Sequence, residues 1–160
     1  MQREANTAED VYWMQEALKE ASCAAFLGEV PVGAILVVEG REVARAHNEV
    51  EKKGEAFAHA EFLSIQRASQ KLGDWRLIGS TLYSTLEPCL LCTGAIFLSR
   101  VKRVVWGAWN KREGVWGSLI DLSSFHHPIH SVEESSGVLQ EESSLLLRSF
   151  FQAKRKEKEV

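Results

Sequence analysis

His59-Ala60-Glu61 and Pro88-Cys89-Leu90-Leu91-Cys92 set one imidazole, one carboxylate and two thiols in two short stretches, the residue types that hold and serve a catalytic zinc. The ligand count separates the kinds of zinc site. Structural zinc closes its tetrahedron with four protein atoms, whereas a hydrolytic zinc takes three and leaves the fourth position to water. His59, Cys89 and Cys92 supply three ligands for one zinc ion, and Glu61 is left over. Zinc brings the pKa of water down towards neutrality, and a nearby carboxylate then passes protons between that water and a substrate. Glu61 is the candidate for that shuttle. A lone Cys-x-x-Cys is a weak signal, shared with redox sites and structural zinc knuckles, but a thioredoxin-like motif needs neither the histidine nor the glutamate. The conjunction reads as a catalytic metal centre.

Such residues act only if rigid elements hold them. Thr7-Ala8-Glu9-Asp10 has the form of a capping box, and Val11, Met14, Leu18, Ala21 and Ala25 recur at helical spacing, which predicts a helix over roughly 8 to 27. Cys23, among alanines, is expected to be a small buried thiol outside the site. Val32 to Val38 and Glu42 to Asn48 read as an antiparallel hairpin turning at Glu39-Gly40, and Glu49 to Glu55 as polar loop. His59 to about Leu72 is a helix stopped by Gly73, with His59 in its first turn and no conventional cap before it. Ser80 to Leu86 is a strand, and Pro88 begins the next helix, whose first turn carries Cys89 and Cys92 on one face. The positive end of that helix dipole favours thiolates. Lys102 to Gly107 is a further strand, Ala108 to Leu122 a loop without periodicity, and Ile129 to Val132 a short last strand after the His126-His127-Pro128 turn. A helix from Glu141 then carries Phe150 and Phe151 into a basic tail, 154–160. Alternating helices and strands predict an α/β fold, a three-layer α/β/α sandwich on a mixed sheet of about five strands.

With 160 residues, 45% of them hydrophobic and 26% charged, the chain fits one domain, 1–160, whose core needs no disulfide staple. Three cysteines, no signal-like start and no apolar run of membrane-spanning length point to a cytoplasmic protein without a membrane partner. A net charge of -3 argues against a general nucleic-acid coat and leaves room for a local basic footprint.

These motifs carry a resemblance. Glu29-Val30-Pro31-Val32-Gly33-Ala34, Asn48, Ala58-His59-Ala60-Glu61, Leu82 to Cys89, Gly117-Ser118-Leu119 and Phe150-Phe151 make the chain similar to the zinc-dependent cytidine deaminase superfamily. The likeness to its bacterial tRNA adenosine deaminase branch runs nearly end to end, from about Val11 to Lys156. The resemblance implies the cytidine deaminase-like fold and one zinc per subunit on His59, Cys89 and Cys92. It also implies a flipped adenine attacked at C6 while Glu61 protonates the ring nitrogen and then the departing ammonia; the tRNA adenosine deaminases are themselves a known example of this base-flipping chemistry. The implied substrate is the wobble adenosine of a tRNA anticodon stem-loop, the product inosine, and the assembly a homodimer whose RNA groove uses both subunits. Asn48 is implied to hydrogen-bond the base, and Asn110, Phe150, Phe151, Lys154 and Arg155 to contact RNA. Cations at a helix C-terminus equally suit the dipole. His126 and His127 read as turn or core histidines. Asn110 departs from the aspartate common in the family, the stretch Ser123-Ser124-Phe125 is longer than usual, and Phe57 replaces a small polar residue. An asparagine at 110 accepts from a ribose hydroxyl without the charge-assisted bond of a carboxylate, and it can also donate. Two other readings share the motif: a deaminase of a free base or nucleoside of the guanine or cytosine type, and an inactive deaminase-fold binding partner, against which the retained Glu61 counts.

Overall fold

The computed structural model describes residues 7–159. Helix α1 (Ala8–Phe26) opens on Thr7, whose hydroxyl accepts the Asp10 amide at 3.1 Å and so satisfies one free N–H of the helix start, as the capping motif predicts. Its buried stripe is Trp13, Met14, Ala17, Ala21 and Ala24; the expected Val11, Leu18 and Ala25 lie in neighbouring, half-buried rows. Strand β1 (Gly33–Val38) explains the rotation. A Cβ on Gly33 would overlap the Ala17 carbonyl oxygen and stand 2.6 Å from the Ala21 nitrogen, so the helix backbone lies directly on the strand and small residues must face it. The same rotation turns Cys23 outward, and the expected buried thiol is exposed.

β1 pairs antiparallel with β2 (Arg41–His47) and with β3 (Ser80–Leu86), while β4 (Arg103–Ala108) and β5 (Glu133–Ser135) continue parallel to β3. The result is a mixed five-stranded sheet in the order β2-β1-β3-β4-β5. Side chains alternate across it and form two cores. Ile35, Val37, Tyr83 and Val105 pack with Trp13, Met14 and Ala17 of α1; Ala34, Leu36, Leu82, Val104 and Trp106 pack with residues of α3 (Ala60–Leu72) and α4 (Leu90–Leu98). Helix α5 (Gln140–Lys158) lies on β4 and against α1, which completes the three-layer α/β/α sandwich.

A buried ion pair ties α1 to the sheet. Arg103 grips both oxygens of Asp10 at 2.7 and 2.9 Å, Tyr83 donates to Asp10 at 3.0 Å, and Arg103 also donates to Ser135 at 2.8 Å. Burial alone would raise the Asp10 carboxyl, but Arg103 and Tyr83 hold it below the usual carboxylate range. This network also corrects the last strand, which is Glu133–Ser135 and not Ile129 to Val132. Register with Arg103 to Val105 selects those residues, and Ile129 stays exposed. The loop expected over Glu49 to Glu55 contains a short helix, α2 (Val50–Lys53). Its first three amides are taken by Asn48 (Val50, 3.1 Å) and by Glu29 (Glu51, 3.1 Å; Lys52, 2.7 Å), a cap that comes from far upstream. Among the described residues no helix is long and apolar enough to cross a membrane.

Candidate metal centre

Two helix starts meet beyond the C-terminal end of β3. His59 is the N-cap of α3 and Cys89 the N-cap of α4, both in extended backbone, and Cys92 lies within the first turn of α4. Sequence placed His59 and Cys89 inside the first turns; each sits just ahead of its helix. Neither side chain makes a capping bond to its helix start, and the imidazole and thiol turn towards each other at the positive ends of two helix dipoles.

The His59 Nδ1 atom lies 3.5 Å from Cys89 Sγ and 3.5 Å from Cys92 Sγ, and all three ligand atoms fall within 4.8 Å of one another. Tetrahedral zinc, with nitrogen at ~2.0–2.1 Å and sulfur at ~2.3 Å, holds such a nitrogen and sulfur about 3.5 Å apart. The donor set therefore fits one zinc ion. A bond from the Cys92 thiol, aided by His59, brings the Cys89 thiol down to about 4 despite burial. Cys92 is pushed up by that same bond and by burial, and His59 is raised chiefly by its bond to Cys89. Cys92 and His59 both hold their protons more tightly than a free thiol or imidazole, so metal entry must displace protons.

Glu61, the second residue of α3, is only 4% exposed and is not one of the three ligands. Its Oε1 accepts the Ser84 hydroxyl at 3.1 Å, and its Oε2 lies 3.8 Å from Cys92 Sγ. Burial pushes its carboxyl up to about 7. A carboxyl poised near neutrality beside a three-ligand metal group is suited to accept a proton and return it.

A cleft of about 250 Å³ opens over this group and is lined also by Asn48 and Asn110. Both side chains are partly engaged. Asn48 accepts the Val50 amide at 3.1 Å and donates to the Val30 carbonyl at 3.3 Å; Asn110 accepts the Glu113 amide at 3.2 Å. Phe150, Phe151, Lys154 and Arg155 lie on α5 and do not line this cleft. The two phenyl rings meet edge to face at 5.4 Å, and Lys154 stands 5.7 Å over Phe150. His127 shapes a turn, accepting the amides of Ile129 and His130 at 3.2 and 3.1 Å, with its ring on Phe97.

Sequence reasoning counted Glu87 within a motif but gave it no task. Fully buried, it accepts the amides of Asn110 (2.9 Å), Trp116 (2.9 Å) and Ser118 (3.1 Å) as well as the Ser118 hydroxyl, and so moors the loop that forms one wall of the cleft. Its sequence signal is an acid just past the buried strand β3, directly before Pro88-Cys89.

Metal donors delivered by two helix starts above a mixed sheet define a class, the zinc-binding deaminases. The chain matches the model of the cytidine and deoxycytidylate deaminase zinc-binding region over residues 7–108. It is 48% identical over 152 residues to the tRNA-specific adenosine deaminase of Bacillus subtilis (strain 168), an alignment covering 95% of this chain and 94% of that protein. A solved structure from studies of A-to-I editing by tRNA:A34 deaminases at the wobble position of transfer RNA matches with a TM-score of 0.81 at 38% identity, over 85% of this chain and 99% of that one. The chain belongs to the family of tRNA-specific adenosine deaminases. A guanine deaminase from Nitrosomonas europaea shares the fold, with a TM-score of 0.74 at 21% identity over 94% of this chain and 87% of that one.

Proposed function

We propose that this protein hydrolyses the exocyclic amine of the wobble adenosine in a tRNA anticodon stem-loop, giving inosine and ammonia. The observation that carries the chemistry is the buried Glu61 carboxyl beside three metal donors rather than four. The relationship to tRNA-specific adenosine deaminases supports the substrate. A cleft of about 250 Å³ suits a single base swung out of its loop, being smaller than the ~300–1,000 Å³ of sites for larger ligands.

His59, Cys89 and Cys92 would hold the zinc, which when bound supplies the Lewis acidity that makes water a nucleophile near neutral pH. Glu61 takes a proton from that water, delivers it to the ring nitrogen next to C6 as C6 is attacked, and hands the second proton to the amine, which leaves as ammonia. Relief of charge on that nitrogen is the reason the acid must stand beside the base. Asn48 retains one amide hydrogen and one lone pair beyond its internal bonds, and in this reading both serve the base. The Asn110 amide nitrogen, with its carbonyl held by Glu113, donates to sugar or phosphate.

The finer assignments are inferences of the same kind. Residues 1–160 act as one deaminase domain in the cytoplasm, working as a homodimer with the RNA groove shared between copies. The exposed Leu90, Leu91 and Leu98 of α4 favour a second copy as their cover. Phe150, Phe151, Lys154 and Arg155 then contact RNA from α5, away from the cleft of their own subunit. The test is ammonia release from an anticodon stem-loop, compared with free adenosine, cytosine and guanine, with inosine read by sequencing. Inosine at the wobble position is the expected result. Efficient turnover of a free base with the stem-loop untouched would replace this reading by that of a nucleobase deaminase.

A further inference from the structure

Ser84 lies in the middle of the sheet, fully buried, as the register partner of Ala34 on β1 and Trp106 on β4. Its Oγ stands 3.1 Å from Glu61 Oε1, 2.8 Å from the Leu86 carbonyl oxygen and 3.3 Å from the Leu86 nitrogen. The other Glu61 oxygen, Oε2, is 3.8 Å from Cys92 Sγ. Two oxygens of one carboxyl group thus have unlike surroundings, one tied to the sheet and one turned towards the metal donors.

A glutamate on the first turn of a helix swings about three side-chain torsions, and holding it in one arrangement costs conformational entropy. A proton carrier that swings is out of reach for part of each cycle, and a displacement of the order of 1 Å can cost roughly 100-fold in rate. We propose that Ser84 is a positioning residue for proton transfer: its hydroxyl anchors Glu61 Oε1 to the end of β3 and so presents Oε2 alone to the metal and the cleft. The inference rests on the reading of Glu61 as the proton shuttle.

The chemistry of the group suits the task. A serine hydroxyl has one hydrogen and two lone pairs. That hydrogen is shared between Glu61 Oε1 at 3.1 Å and the Leu86 carbonyl oxygen at 2.8 Å, and the share on Oε1 is kept whether or not Oε2 carries the proton of the neutral acid, so the anchor persists through both halves of the shuttle. The Leu86 amide donates to the same Oγ at 3.3 Å, and Leu86 is followed by Glu87, Pro88 and Cys89. One side chain therefore links the position of the proton carrier to the strand end that leads into the cysteines.

The test is a set of three zinc-loaded variants, Ser84→Ala, Ser84→Val and Ser84→Thr, the last two matched in shape and differing in the hydroxyl. Zinc content, kcat and KM on the stem-loop, and the Glu61 conformation in crystals are measured for each. The expected result is full zinc content throughout, with kcat falling roughly 10- to 100-fold in Ser84→Ala and Ser84→Val. KM should stay within about two-fold, Ser84→Thr should restore kcat, and Glu61 should occupy more than one conformer only where the hydroxyl is missing. If Ser84→Ala does not fold, the Thr and Val pair decides the matter alone. In a Glu61→Gln background, loss of the hydroxyl should add nothing further, because its effect runs through Glu61. Unchanged kcat in both Ser84→Ala and Ser84→Val, or an equal further loss on top of Glu61→Gln, would overturn the positioning role while leaving Glu61 in place. Full activity of Glu61→Gln would overturn the shuttle and this inference together.

Discussion

Glu61 follows the N-cap metal donor His59 by two residues, and the separate tasks proposed for the two can be told apart by substitution. Replacing Glu61 by glutamine keeps shape and neutral hydrogen bonding and removes the exchangeable proton. Glu61→Gln is expected to retain one zinc per chain while turnover drops ~10²- to 10⁴-fold, whereas His59→Ala or Cys89→Ala should lose the metal; elemental analysis beside an ammonia assay checks both. Stoichiometric zinc loss in Glu61→Gln would make the glutamate a ligand. The same residue sets a pH dependence in the metal-free protein. A free glutamate ionises near 4.5, and burial holds this one protonated up to about 7. Its contribution to stability is therefore fully present below about 4.5 and is lost as the pH rises through about 7. Metal-free Glu61→Gln has no such proton to lose, so its stability should overtake the natural chain above neutrality, by on the order of 3 kcal/mol at most. Urea unfolding at pH 5 and pH 8 measures it, and a pH-independent difference between the two proteins would contradict it. The three metal donors were legible in the sequence because residue type and spacing alone mark them, and the same spacing singled out Glu61 as the proposed shuttle. Ser84 and Glu87 were not, since a buried serine in a strand and an acid before a proline gain their meaning from partners across the sheet and in a distant loop.

The elements divide in the same way. α1, α3, the β1 and β2 hairpin, β3 and β4 follow from periodicity, turn residues and caps within a few positions of each start. α2 depends on Glu29, and β5 on pairing with β4 and on the bond from Arg103 to Ser135, so local pattern could show neither. Phase on α1 was also illegible, because it is set by the missing Cβ of Gly33 on another element. Glu87 gives this scale its prediction. Glu87→Ala leaves three loop amides and a hydroxyl without their acceptor, and each buried donor left unpaired costs ~1–3 kcal/mol. Since Asn110 and Glu113 at the cleft wall hang on that mooring, KM for the stem-loop should rise together with a fall in thermal stability. A variant as stable as the natural chain, with KM unchanged, would show that the loop holds its form without the carboxylate.

At the scale of the whole molecule, the sheet is covered on one side by α1 and α5 and on the other by α3 and α4, but α4 is itself uncovered. Its nine residues, Leu-Leu-Cys-Thr-Gly-Ala-Ile-Phe-Leu, are apolar nearly all round, a composition expected of a helix buried on more than one side. Cys92, Thr93, Ile96 and Phe97 face the core, while Leu90 is 62% and Leu98 66% exposed beside the apolar groove of Phe97, Leu122 and Phe125. Full burial of a leucine is worth about 1.5–3 kcal/mol, so a second copy seated here gains from several such side chains at once. Because Cys89 caps this helix and Cys92 lies in its first turn, a contact along α4 would bring two metal centres near one interface. Leu98→Glu puts a charge into that face at a position with no role in the core. Sedimentation should find a dimer for the natural chain and a monomer for Leu98→Glu, with zinc content unchanged and RNA affinity reduced. A natural chain that sediments as a monomer at micromolar concentration would mean that the α4 leucines serve another cover, and that α5 does not reach RNA across a dimer.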